Sequence, residues 1–207
     1  MAELVVTRQD LLDKLLIYSS APDDENIKYK DKIRNALLKC PELLYAIHEP
    51  RFEEMLFNND GSINYEGEWD LYFGTSSNIR PYLYIPDSQD EIHNFLTYQI
   101  GFTETPKYNN TRKYTTITFN IFVHGKDGID KFTGIPRHDL IACIIRDRFN
   151  WSNIFGVQCN LVSSKEALTD NNYISRTMVF ELYDLNGIVR TSYDNGVTDI
   201  INNGFWR

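Results

Sequence analysis

Apolar residues recur at helical spacing in the first part of the chain and at strand spacing in the second. Leu11, Leu12, Leu15 and Leu16 share one helical face, with Thr7 or Asp10 placed to cap it. Ala21-Pro22-Asp23-Asp24 breaks that helix. A second helix is expected from about Lys28 to Cys40, turning Ile33, Leu37 and Cys40 inward and Lys30, Lys32 and Arg34 outward. Pro41 suits the first turn of a third, through Leu44 and Ile47 to His48. Pro50 interrupts again, and Phe52, Met55 and Leu56 finish the series. Residues 1–57 thus read as an N-terminal helical segment.

From residue 92 the period changes to two. Leu96, Tyr98, Ile100 and Phe102 alternate with polar residues, as do Ile117, Phe119, Ile121 and Val123. A polar loop, 104–113, joins these strands and carries Lys107, Arg112 and Lys113. A loop from His124 to Ile135 holds three glycines, and Pro136 then opens a helix whose apolar face is Leu140, Ile141, Ile144, Ile145 and Phe149. A second strand pair follows, with Val157, Cys159 and Leu161 in one and Met178, Phe180 and Leu182 in the other, across a polar loop from Ser163 to Asn172. The expected class is α+β: a sheet of two strand pairs with an intervening helix, packed with the N-terminal helical layer. That core spans 92–184, and 185–207 is a C-terminal tail with Asn-Gly turns at 186, 195 and 203. The tail ends in Phe205 and Trp206, which either dock on a neighbour or pack on their own subunit.

Residues 58–91 fit neither period. They carry seven acids against Arg80, a charge of 1 − 7 = −6 within a whole-chain charge of −8. Trp69, Tyr72 and Phe73 lie among them, so the stretch reads as an ordered acidic, aromatic-rich loop excursion, either solvated or docked on a partner. The chain as a whole has 28 aromatics in 207 residues, enough to cover sheet faces or interfaces. An acidic balance of this size argues against a broad grip on DNA phosphates. No run of roughly 18 apolar residues marks a membrane span, and no secretory signal is visible at the start. Cys40, Cys143 and Cys159 each sit in an apolar pattern, as expected of buried reduced thiols.

The search for chemistry is mostly negative. Asp90 and His93 are three apart, and His138 has no second His or Cys one turn away, so no metal site and no cofactor is expected. His124 with Asp127 sits at a strand end where a general base can be displayed. No Ser or Cys has the strand-turn-helix setting of an activated nucleophile, and Cys143 reads as a small hydrophobe on its helix. Residues 60–71 begin like a calcium loop, but Tyr65 and Leu71 occupy the positions that need Gly and Glu. Asp87, Glu104 and Lys107 make only a poor nuclease set. The expectation is a protein without catalytic activity.

The run Thr115-Thr116-Ile117-Thr118-Phe119-Asn120-Ile121-Phe122-Val123-His124-Gly125-Lys126-Asp127, then Gly134-Ile135-Pro136-Arg137-His138-Asp139-Leu140-Ile141, then Arg146-Asp147-Arg148-Phe149-Asn150-Trp151 and the closing strand pair, resembles the neck and tail-completion proteins of tailed bacteriophages. In particular it resembles the tail-terminator group, over about residues 92–184. The resemblance implies a virion structural protein, made in the host bacterial cytoplasm, that closes into a ring, a hexamer, on the head-proximal end of the tail tube. Its partners would be copies of itself, the tail tube protein and the head connector or neck proteins. DNA would pass through the channel without specific binding, and no membrane would be involved. Interface candidates chosen by character are Lys107, Arg112 and Lys113, then Trp69, Tyr72 and Phe73, then Phe205 and Trp206. The alternative is a soluble ligand-binding or adaptor domain of the same class.

Overall fold

Alternating apolar side chains build one mixed sheet, and helices cover one of its faces. The computed structural model describes residues 7–19, 25–86, 92–102, 112–169 and 172–185. Helix α1 spans Arg8–Ser19, α2 Glu25–Leu38, α3 Pro41–Ile47 and α4 Pro50–Glu53. Strands β1 (Ile79–Arg80), β2 (Phe95–Phe102) and β3 (Arg112–His124) precede α5 (Arg137–Phe149), and β4 (Cys159–Leu168) and β5 (Tyr173–Leu185) follow it. The sheet order is β1-β2-β3-β5-β4, antiparallel except for the β1–β2 pair. This is the expected α+β architecture.

The inward face carries Leu96, Tyr98, Ile117, Phe119, Ile121, Val123, Phe180 and Leu182, each at most 1% exposed. Ile33 and Leu37 of α2, Leu43, Leu44 and Ile47 of α3, and Ile141, Ile145 and Phe149 of α5 close on them in a single core. Phe119 lies at its centre, with ring centroids of Phe149 and Phe180 at 5.1 and 5.7 Å. Burying each such side chain is worth about 1.5–3 kcal/mol. Leu140 and Ile144 pack against this core while remaining partly exposed.

Local signals explain where the helices start. Thr7 Oγ1 accepts from the Asp10 N–H at 3.1 Å, and Asp10 Oδ2 accepts from the Thr7 N–H at 2.9 Å. Both candidate caps therefore act together as a capping box. Pro41 and Pro50 each occupy a first helical turn, where the missing N–H costs nothing. His48 ends α3 in the left-handed region at φ 54°.

Three expectations need correction. The polar stretch from Ser163 to Asn172 is mostly strand: β4 continues to Leu168, past a register shift between Leu161 and Ser163. As an edge strand it leaves most side chains in solvent, so it never shows apolar alternation. Arg112 and Lys113 belong to β3 rather than to a loop. Cys143 is exposed, whereas Cys40 and Cys159 are buried, and all three are free thiols. It lies two residues from both Ile141 and Ile145, which rotates it away from the face they bury. Burial pushes the Cys40 thiol up to about 11 and the Cys159 thiol up to about 12.

Candidate functional site

The acidic, aromatic-rich stretch docks on its own chain in two places. Trp69 and Tyr72, in a short 3-10 turn, are 6% and 0% exposed and belong to the main core. Phe73 packs against that core, partly buried, with the Arg34 guanidinium 5.7 Å from its ring centroid. Beyond the edge strand β1, Tyr84 packs against a second cluster of Phe95, Phe122 and Tyr173. Arg80 lies 3.6 Å from the Tyr84 ring centroid, a cation–π contact inside the fold. These aromatics therefore have partners within the subunit. Glu66 and Glu68 stay exposed.

The rest of the uncovered sheet face is mostly polar. Thr116, Thr118, Thr177 and Val179 are half-buried there, and Thr177 donates to Asn120 Oδ1 at 2.8 Å. The sheet runs on past the helical cover at one end, where Phe102, Tyr114 and Tyr183 are 61%, 41% and 43% exposed. Tyr114 and Tyr183 face one another at 5.0 Å, and Lys113 Nζ lies 5.6 Å from the Phe102 ring centroid. Lys113 thus sits at this aromatic end. Only the backbone of Arg112 is described there, while Lys107, Phe205 and Trp206 lie outside the described residues.

Two further surfaces were not read as surfaces from the sequence. Leu11, Leu12 and Leu15, expected from their spacing to share one face of α1, are 49%, 42% and 55% exposed, so these apolar side chains stand in solvent. A hollow of about 550 Å³ is lined by Lys32, Asn35, Ala36, Lys39, Arg148, Ser152 and Ile154. It is a basic spot on an acidic chain, formed where α2 meets the end of α5. Lys32 and Lys39 stand two helical turns apart and Arg148 is more than a hundred residues further along the chain, which is why no local charge run announces the three together.

Polar residues at the ends of several elements converge in a buried network. Asp127 Oδ2 accepts from Asn94 Nδ2 at 2.7 Å and pairs with His48 Nδ1 and Arg137 Nε, both at 3.0 Å. Arg137 also donates to the Ala46 carbonyl at 3.0 Å, and Asn94 to the Ile47 carbonyl at 2.9 Å. Asn94 Oδ1 accepts from the His124 N–H at 3.0 Å. Next to it, Glu49 takes hydrogen bonds from Arg51 Nε at 2.6 Å and Asn78 Nδ2 at 2.9 Å, and pairs with His93 Nδ1 at 3.0 Å. Burial alone would raise the Glu49 carboxyl, but these hydrogen bonds from Arg51, Asn78 and His93 hold it down at about 2. The network ties the α3–α4 corner to the start of β2, the end of β3 and the start of α5.

His124 and Asp127 are consumed by this structure. His124 is 4% exposed, its Nδ1 accepts from the Lys126 N–H at 3.2 Å, and its ring packs edge-on against Tyr173 at 5.3 Å. Neither presents a lone pair to a cleft, so the general-base reading finds no geometry here. The described elements include no helix long and apolar enough to cross a membrane.

No curated protein matches the chain in sequence. A family profile does, over residues 12–182 of the 207, which takes in the acidic excursion, most of the helical layer and all of the sheet but the last three residues of β5. The chain therefore belongs to the YomW family, a name of Bacillus phage type, and is a phage-associated protein.

Proposed function

We propose that this protein is a structural subunit of the phage particle, acting by assembly and without catalysis. The observation that carries the reading is the contrast between its interior and its surface. The polar groups at strand ends are spent on internal hydrogen bonds, while large apolar groups stand outside on α1 and at the projecting end of the sheet. A subunit that must meet several neighbours needs such surfaces, and head-to-tail contacts between copies close into a ring when their rotation permits.

Within the virion, the neck is the place that best suits it, as a ring on the head-proximal end of the tail tube that stops its growth and meets the head connector. The element order of residues 92–184 supports this role. The basic hollow at Lys32, Lys39 and Arg148 and the exposed acids Glu66 and Glu68 supply complementary charge for pairing copies in one orientation. A net charge of −8 suits a channel through which DNA passes without sticking.

Light scattering after size exclusion, at high and low protein concentration, tests the reading. A species of about six subunits, or mass climbing toward it with concentration, is the expected result. A monomer that also fails to bind purified tail tubes would overturn the neck assignment and favour a ligand-binding or adaptor domain. The substitutions Leu12→Glu and Tyr183→Glu should weaken assembly at least tenfold while leaving the circular dichroism spectrum unchanged.

A further inference from the structure

The first turn of α5 carries a second, different polar cluster. His138 is 3% exposed, yet neither of its ring nitrogens has a hydrogen-bond partner. Its Nε2 lies 3.4 Å from Glu166 Oε1 on β4 and 3.6 Å from Asp139 Oδ1. One donor atom from each of the three residues falls within 4.8 Å of the others. The Asp139 and Glu166 side chains are 36% and 53% exposed, so the cluster opens to solvent on one side.

These spacings have a chemical meaning. Around a tetrahedral ion with bonds of about 2.0–2.1 Å, neighbouring donor atoms stand roughly 3.3–3.4 Å apart. The imidazole and the Glu166 carboxylate already have that separation, and the Asp139 oxygen is slightly further out. A buried imidazole with no hydrogen bond is costly unless something satisfies it. We propose that His138, Asp139 and Glu166 bind one divalent transition-metal ion, with zinc the best match and water in the open position. One imidazole nitrogen and two carboxylates suit zinc or cobalt better than magnesium or calcium, which prefer all-oxygen shells.

Arg176 is the competing cation. Its Nη2 spans both carboxylates, with Glu166 Oε2 at 3.3 Å, and its Nη1 donates to Ser164 Oγ at 3.2 Å. Metal binding displaces the guanidinium from the carboxylates, which keeps the affinity below that of a closed structural zinc site. Glu166 and Arg176 are register partners on β4 and β5, so the ion staples the start of α5 to this edge hairpin. The site does not depend on the assembly reading.

The test is titration of the full chain with Co2+, followed by visible absorption, and competition with Zn2+. A Cys143→Ser background removes the exposed thiol as a rival ligand. The expected result is one equivalent of bound Co2+ with the spectrum of a four-coordinate ion. Glu166→Gln and Asp139→Asn should each weaken binding at least tenfold, and Arg176→Met should strengthen it. Both carboxylate substitutions are at partly open positions, so they leave the fold available for comparison. No stoichiometric Co2+ binding, or binding indifferent to Glu166→Gln and Asp139→Asn, would overturn the proposal.

Discussion

Arg137 and His138 are neighbours in sequence, sit in the same helical turn and are equally buried at 3% exposure. They meet opposite fates. Arg137 donates to the Ala46 carbonyl and pairs with Asp127 and Asp130, while both ring nitrogens of His138 lack a hydrogen bond. The difference shows that burial alone does not tell a structural polar residue from a receptive one. What matters is whether the donors and acceptors around it are already closed. The Asp127 cluster is closed and joins four elements; the His138 cluster is open on one side.

The largest expected effect comes from breaking the closed cluster. Arg137→Met leaves the Asp127 carboxylate, 8% exposed, without its main counter-charge. Stability should fall by about 3–5 kcal/mol, as measured by urea unfolding. A loss below about 1 kcal/mol would mean that His48 and Asn94 suffice to hold Asp127, and the contrast with His138 would collapse.

Next comes acid. Glu49 is held down at about 2 by its hydrogen bonds, against an ordinary value of 4.5. A depressed carboxyl contributes stability that is fully present above 4.5 and is lost as pH falls toward 2. The size is on the order of 3 kcal/mol. Denaturant melts between pH 6 and about 2.5 should show the loss in the native chain. In Glu49→Gln, starting from lower stability, the slope across that window should flatten. An unchanged slope would move the acid sensitivity to other carboxylates.

The closed cluster was only half legible in the chain. His48, His93, His124 and Asp127 stand out as polar residues at element ends, and Pro41 and Pro136 give the helix starts that position them. Asn78, Asn94 and Arg137 carry no such mark, because their role is set by contacts across the fold. Strands with one buried face were readable from period two, as Phe119 and its neighbours show. The outer half of β4 was not, because an edge strand exposed to water loses that alternation. Likewise Glu166 could be matched to His138 only once β4 was known to be a strand, since nothing local links them. Trp69 and Tyr72 read as interface aromatics by composition, and the fold places them in its own core.

His138 supplies the sharper half of the comparison. His138→Met keeps a similar volume and removes two nitrogens that lack hydrogen bonds in the metal-free chain. The change in stability should stay within about 1.5 kcal/mol, and either sign is compatible with an open cluster. Measured beside Arg137→Met, it gives two adjacent buried substitutions with different costs. A loss as large as that of Arg137 would show that the imidazole is closed by a bond to Glu166 after all.

Glu166→Gln should have the smallest effect on the metal-free chain. The carboxylate faces Arg176 across the β4–β5 pair, but its side chain is 53% exposed and Arg176 keeps Asp139 as a partner. Exposed pairs of this kind contribute about 0–1 kcal/mol, because water screens them and two long side chains must be held still. The residual effect should shrink further in high salt, where the Debye length is about 3 Å. A cost above about 2 kcal/mol, insensitive to salt, would mean that Glu166 is part of a desolvated, closed network like that of Asp127. The two clusters would then differ only in composition, and the open imidazole would lose its reason for being receptive.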